Sequence, residues 1–290
     1  MATPTRIRGY IAGRLWLLLA AGLVFALAGA ASPILAIGTS NTWVSLGSIQ
    51  AGRATAAEVS PLFSLDDNVF FASDSGGVYR SVDGGSNFTQ VNNGLTDLRV
   101  GSLSISPQFN VNSVLFASTP SGLFKSIDAG GSWNTVTGGL PAVEVTGLAY
   151  SPTFATDTTV YAATLGFGLY ASADSGSTWT LLSTTGMTNL SLTDVQVVEG
   201  DFGKLLMVVR TAGKVFRSDD TGVTWAEKTT GLPSGVDITA LELSPGFRTT
   251  DLAMLGTRSN GIYRTTDGGN NWASIGLADD DASNVFEFST

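Results

Sequence analysis

From residue 39 onward the chain runs in short stretches in which every second residue is apolar. Residues 145–185 show the pattern. "VTGLAYS" alternates and stops at Ser151-Pro152; "TVYAATL" is β-branched and aromatic. "GLYASAD" runs into a polar cluster, and "TWTLLST" leaves it and stops before Gly186. A period of two predicts half-buried strands, and the Gly, Pro, Asp and Ser clusters between them predict tight turns. No stretch after residue 38 has a convincing helical period.

The same four-strand phrase recurs. Its clearest landmark is an eight-residue box between the third and fourth strands: "SVDGGSNF", "SIDAGGSW", "SADSGSTW", "SDDTGVTW" and "TTDGGNNW". The frame is [ST]-x-D-x-G-x-x-[WF], with Asp83, Asp128, Asp174, Asp220 and Asp267 at its centre. By subtraction these lie 45, 46, 46 and 47 residues apart. Phe88, Trp133, Trp179, Trp225 and Trp272 close the boxes. A Gly-Leu pair follows each one, from Gly94-Leu95 to Gly276-Leu277, with Gly186-Met187 as the variant. A Ser-Pro-x-Phe turn follows the first strand at Ser60, Ser106, Ser151 and Ser244; repeat four has "EGDF" from Glu199 instead.

A period of 40–50 residues marks a repeat array, and four antiparallel strands per unit is the blade of a β-propeller. The predicted fold is therefore all-β: four-stranded antiparallel blades, five complete repeats, and partial strands at both ends. One blade buries little apolar surface, so neighbours must stack. Before the repeats stands "NTWVSLG", which matches only a fourth strand; after them stands "ASNVFEFST", which matches only a first. Either five blades close with two overhangs, or the natural chain continues; continuation is the expectation. Residues 39–290 form the propeller, expected to be incomplete at its C-terminal side.

Within a box, Asp can accept backbone N–H groups across the turn, Gly supplies positive φ, and Trp can cover the next hairpin. Five copies at equivalent places predict a structural role for each box Asp and each closing aromatic, since a catalytic site is normally singular.

These boxes resemble the Asp-box, or BNR, repeat; the match runs from Trp43 to Trp272. The resemblance implies a propeller with its boxes at the blade periphery. Sialidases, xyloglucanase-like glycosidases, sortilin-type receptors and photosystem II assembly factors share such boxes, so it implies no single function. A sialidase site does not carry over: no Arg-Ile-Pro element occurs here. The assembly-factor role rests on a basic patch, at odds with the acidic balance of this chain. Arg80, Lys125, Arg217 and Arg264 recur before their boxes and read as solvated strand residues.

Composition narrows the chemistry. Across 290 residues, 43% are hydrophobic and 13% charged, which suits a packed core rather than disorder. Net charge is −9, which disfavours nucleic acid as a partner. Cys and His are both absent, so disulfides, thiolate or imidazole metal sites and His-based nucleophile activation are excluded. No cofactor or metal is expected. Residues 1–30 read as an export signal: Arg6, Arg8 and Arg14, then an apolar run from Leu15, then Ala28-Gly29-Ala30. The alternative is an uncleaved anchor, the only membrane association foreseen. The chain is expected outside the cell or in its envelope.

One row is not repeated evenly. Two residues before the Ser-Pro turn, on the strand nearest the axis, fall Glu58, Ser104, Ala149, Gln196, Glu242 and Glu287. Three carboxylates brought together would raise one pKa and could serve acid–base work. The plainer reading is a water-filled channel lined by solvated acids. Asp66, Asn112 and Asp157 are expected to cap the loops after the Ser-Pro turns. The sequence therefore favours a non-catalytic module binding a protein or glycan, with a polysaccharide-active glycoside hydrolase as the alternative, for which Glu58, Glu242 and Glu287 are the catalytic candidates.

Overall fold

The computed structural model describes residues 33–37, 43–48, 52–200 and 205–276. The predicted export signal and Glu287 lie outside the described residues. Strands β1 (Pro33–Ile37) and β2 (Trp43–Ser48) pair antiparallel, with Ile37 opposite Trp43.

Five four-stranded antiparallel sheets follow, each in sequential strand order. Blade one holds β3 (Ala54–Val59), β4 (Val69–Ser73), β5 (Gly77–Ser81) and β6 (Thr89–Gln90). Blade two holds β7 (Ser102–Ile105), β8 (Leu115–Thr119), β9 (Gly122–Ser126) and β10 (Asn134–Thr135). Blade three holds β11 (Val145–Tyr150), β12 (Val160–Thr164), β13 (Gly168–Ser172) and β14 (Thr180–Leu181). Blade four holds β15 (Leu192–Glu199), β16 (Leu205–Thr211), β17 (Val215–Ser218) and β18 (Ala226–Glu227). Blade five holds β19 (Ile238–Leu243), β20 (Ala253–Thr257), β21 (Ile262–Thr265) and β22 (Ala273–Gly276). The first strands of successive blades touch, which places them nearest the axis. This is a β-propeller architecture. Most outer strands are only two residues long, because the box turn consumes the residues before them.

Each Ser-Pro-x-Phe turn winds into one helical turn: α1 (Phe63–Asp66), α2 (Phe109–Asn112), α3 (Phe154–Asp157) and α4 (Phe247–Thr250). Four residues are too few for a sequence period to register. The buried Ser hydroxyl at the head of each of the first three turns accepts the N–H two residues on. At the foot, Asp66, Asn112 and Asp157 accept the N–H of Asn68, Val114 and Thr159.

The core lies between blades. Phe70, Ala72 and Val78 of blade one pack on Leu103, Leu115, Phe124 and Trp133 of blade two. One ladder row supplies Phe70, Phe116, Tyr161, Val208 and Met254, opposite Glu58, Ser104, Ala149, Gln196 and Glu242. Blade four thus carries Val where the first three carry an aromatic ring. A void of about 10 Å³ lies beside it, lined by Val208, Leu241, Leu243, Phe247 and Trp272.

Candidate functional site

The five boxes share one hydrogen-bond scheme. The leading hydroxyl of Ser81, Ser126, Ser172, Ser218 or Thr265 donates to its Asp Oδ1 at 2.7–2.8 Å. The residue four after each Asp donates its backbone N–H to the same oxygen at 2.8–2.9 Å. Its side chain (Asn87, Ser132, Thr178, Thr224 or Asn271) donates to Oδ2. Donors on both oxygens favour the ionised form. Asn87 and then its own N–H pull Asp83 down to about 2, and Thr224 does the same for Asp220. Asp128 and Asp267 are lowered chiefly by Ser132 and Asn271.

An acid-stability window follows. A carboxyl whose folded pKa lies below its unfolded value stabilises the fold above that unfolded value, here about 4. The contribution is lost as pH falls through about 2. The melting temperature is therefore expected to fall steeply between pH 4 and pH 2, and less steeply in an Asp220→Asn variant. Parallel slopes for the two proteins in thermal melts would count against the box carboxylates.

The boxes also reach backward. Backbone N–H groups of Trp133, Trp179, Trp225 and Trp272 donate to Asn93, Gly138, Thr185 and Thr230 O of the preceding blade, at 2.6–2.9 Å. Three indoles do likewise: Trp133 to Val91 O at 2.7 Å, Trp225 to Ser183 O and Trp272 to Lys228 O at 2.9 Å. Trp179 bonds its own box at Gly176 O instead. The sequence suggested that these rings cover the next hairpin; they close on the blade before. Gly94, Gly139, Gly186 and Gly231 lie where a Cβ would overlap the carbonyl oxygens of Trp133, Trp179, Trp225 and Trp272. The Gly-Leu pair and the box are thus two halves of one joint.

The basic row departs from simple solvation. Arg80 lies over Phe70, Lys125 over Phe116 and Arg217 over Phe247 of the next blade. Only Arg264 of that row is exposed.

At the axis, register places Glu58 and Glu242 on one row. Gln196 spans two blades: its amide donates to Leu241 O at 2.6 Å and to Glu242 Oε2 at 2.9 Å, and its oxygen accepts Leu243 N–H at 2.9 Å. Ser104 Oγ donates to Tyr150 OH at 3.5 Å. Burial pushes the Tyr150 phenol up, and the Glu58 charge adds to it. Among the described residues no group of three or more carboxylates is placed to hold a metal ion.

The opposite end of the blades carries the hairpins between second and third strands. In blade three this hairpin exposes Leu165 and Phe167, with Leu181 beside it, each 47–48% accessible. The equivalent tips elsewhere read Asp74-Ser75-Gly76, Pro120-Ser121, Ala212-Gly213-Lys214 and Arg258-Ser259-Asn260-Gly261.

Blades stacked around an axis through their first strands define a β-propeller. Residues 110–289 match the DUF6242 beta propeller domain family, and the chain belongs to that family. A search of curated proteins finds no match. In structure the chain is similar to an ancestral GH74 enzyme, with TM-score 0.61 and 19% identity over 77% of this chain and 31% of that one. It is also similar to the extracellular domain of a hybrid two component system from B. thetaiotaomicron: TM-score 0.57, 14% identity, 87% of this chain and 32% of that one. A third is YCF48 bound to D1 peptide: TM-score 0.50, 16% identity, 72% of this chain and 64% of that one. At these identities the likeness is one of fold. The chain spans about a third of the length of the ancestral GH74 enzyme.

Proposed function

We propose that this chain is an exported Asp-box (BNR) propeller that works as a non-catalytic interaction module, outside the cell or in its envelope. Its protein or glycan partner sits on the face of the hairpins and Gly-Leu loops. The carrying observation is the blade-three hairpin, where Leu165, Phe167 and Leu181 stand exposed while equivalent hairpins are polar or small. A cluster of exposed apolar side chains marks a contact surface more often than chance exposure. The box carboxylates are engaged in their own turns, which fits a structural rather than a binding duty for them. The extracellular-domain and peptide-bound neighbours are propellers of related shape, and that fits the reading. A polysaccharide-active glycosidase is the rival. It needs two carboxylates about 5–10 Å apart across a cleft, and here Gln196 ties one candidate, Glu242, to the inner strand.

The test pairs binding with hydrolysis. The mature chain, expected by N-terminal sequencing to begin near Ala31, is used to capture its partner from the native envelope. Phe167→Asp should abolish capture at unchanged melting temperature. Asp128→Ala should reduce it only in step with unfolding. Release of reducing sugar from a polysaccharide panel, lost in Glu58→Gln or Glu242→Gln, would replace this reading with the glycosidase.

A further inference from the structure

One rung of the inner ladder is lined by small residues in four blades. It pairs Ala56 with Ala72, Ser102 with Ser118, Gly147 with Ala163 and Ala240 with Gly256. In blade four the same rung carries Asp194 opposite Arg210. The fold does not require charge there, since its other blades manage without it.

The pair does not satisfy itself. Arg210 Nη1 donates across to Ile238 O of blade five at 2.8 Å, and Nη2 reaches Thr193 O only at 3.5 Å. Arg210 Nε is the one buried side-chain polar atom without a partner among the described residues. Asp194 Oδ1 turns instead to Val195 N–H at 2.8 Å. It has room because position 147 is glycine: a Cβ there would lie 3.1 Å from that oxygen. A buried guanidinium N–H without an acceptor on the chain is costly, and an anionic oxygen satisfies it better than a neutral one.

We infer that Arg210 Nε and the Asp194 carboxyl form a binding position for a carboxylate-bearing ligand, between blades four and five at the hairpin end of the axis. It stands apart from the apolar hairpin of blade three and does not depend on what that hairpin binds.

The surrounding charges select a monoanion. Arg210 on β16 faces Asp194, and Asp237 ahead of β19 also acts on Arg210. Asp237 is itself paired with Arg258 Nε at 2.6 Å. Burial foremost, opposed by Arg210, pushes the Asp194 carboxyl up to about 6. When protonated, Asp194 donates its O–H to the second ligand oxygen; when ionised, it repels the ligand. Binding therefore strengthens as pH falls through about 6.

The experiment follows arginine Nε–H signals in ¹⁵N-edited NMR while the full chain is titrated with D-glucuronate or with N-acetylglycine, both ionised throughout pH 5–8. One Nε–H signal should shift saturably, and that signal should be missing in Arg210→Lys. Apparent affinity should rise about ninetyfold from pH 8 to pH 5, the factor expected when one group that titrates near 6 must take up a proton. Asp194→Asn should keep binding and flatten the pH dependence. The preferred probe tells whether the natural carboxylate is carried by a sugar or a peptide. The double variant Asp194→Ala with Arg210→Ala reproduces the rung of blade one. It should fold, melt no lower than the parent, and give no response to either probe. An absence of any saturable shift up to about 100 mM probe, far above a useful site's Kd, would overturn the proposal. So would the same response in Arg210→Lys. Either result would mean that Nε takes only water.

Discussion

Replacing Gly186 with Ala lowers the melting temperature by about 10 °C. Two costs combine. Gly186 has φ +93°, where an L side chain is strained by about 1–3 kcal/mol. Its added Cβ also overlaps Trp225 O, which is held in place by the backbone bond from Trp225 N–H to Thr185 O at 2.9 Å. Neither atom can move without opening the seam between blades three and four. Forced repacking of this kind adds about 1–3 kcal/mol. Each kcal/mol shifts a domain of this size by about 2–4 °C. Gly235 is the matched control: it has φ +71° with nothing within 4 Å of an added Cβ. Gly235→Ala should cost about 1 kcal/mol, and equal losses at the two sites would show that the seam carries no weight.

Trp133→Ala should destabilise by about 3–5 kcal/mol, as large-to-small changes in well-packed cores do. The side chain is 3% exposed and packs among residues of blades one and two. Its removal also strips Val91 O of the indole donor at 2.7 Å. Trp133→Phe keeps most of the volume and loses only the N–H, so it should cost about 1–2 kcal/mol. Denaturant unfolding of both variants separates packing from the hydrogen bond. A loss below about 1 kcal/mol for Trp133→Ala would refute the clamp, because even a half-collapsed core site loses more.

The strands and their grouping into blades are legible in the sequence, because period-two alternation and turn residues are local signals. The box could be placed at the third-to-fourth connection for the same reason. The direction in which Trp133 acts was not legible: its partner Val91 lies 42 residues earlier, and alternation within one blade carries no information about the next. The role of Gly139 is not legible in the sequence, since nothing local records that Trp179 O rests against it. The one-turn helices leave no periodic signal, because a segment such as Phe63–Asp66 is too short to repeat an amphipathic pattern. On the candidate site, the alignment of Glu58 with Glu242 came from counting back from the turns. Asp194 and Arg210 carry no sequence signal of their own: they sit in different strands, and their oddity appears only when the ladder sets them against Ala56 and Ala72.

The backward-reaching clamp bears on how such a chain can change in length. Every repeat brings a socket, its Gly-Leu pair, and a plug, its box aromatic, but the two belong to different joints. Duplicating or deleting one whole repeat in frame leaves each joint with both halves, so blade number is free to drift without any new interface being invented. Blades four and five are the exception. Val208, Asp194 and Arg210 are fitted to one particular neighbour, and that boundary is where shuffled copies would cease to be interchangeable.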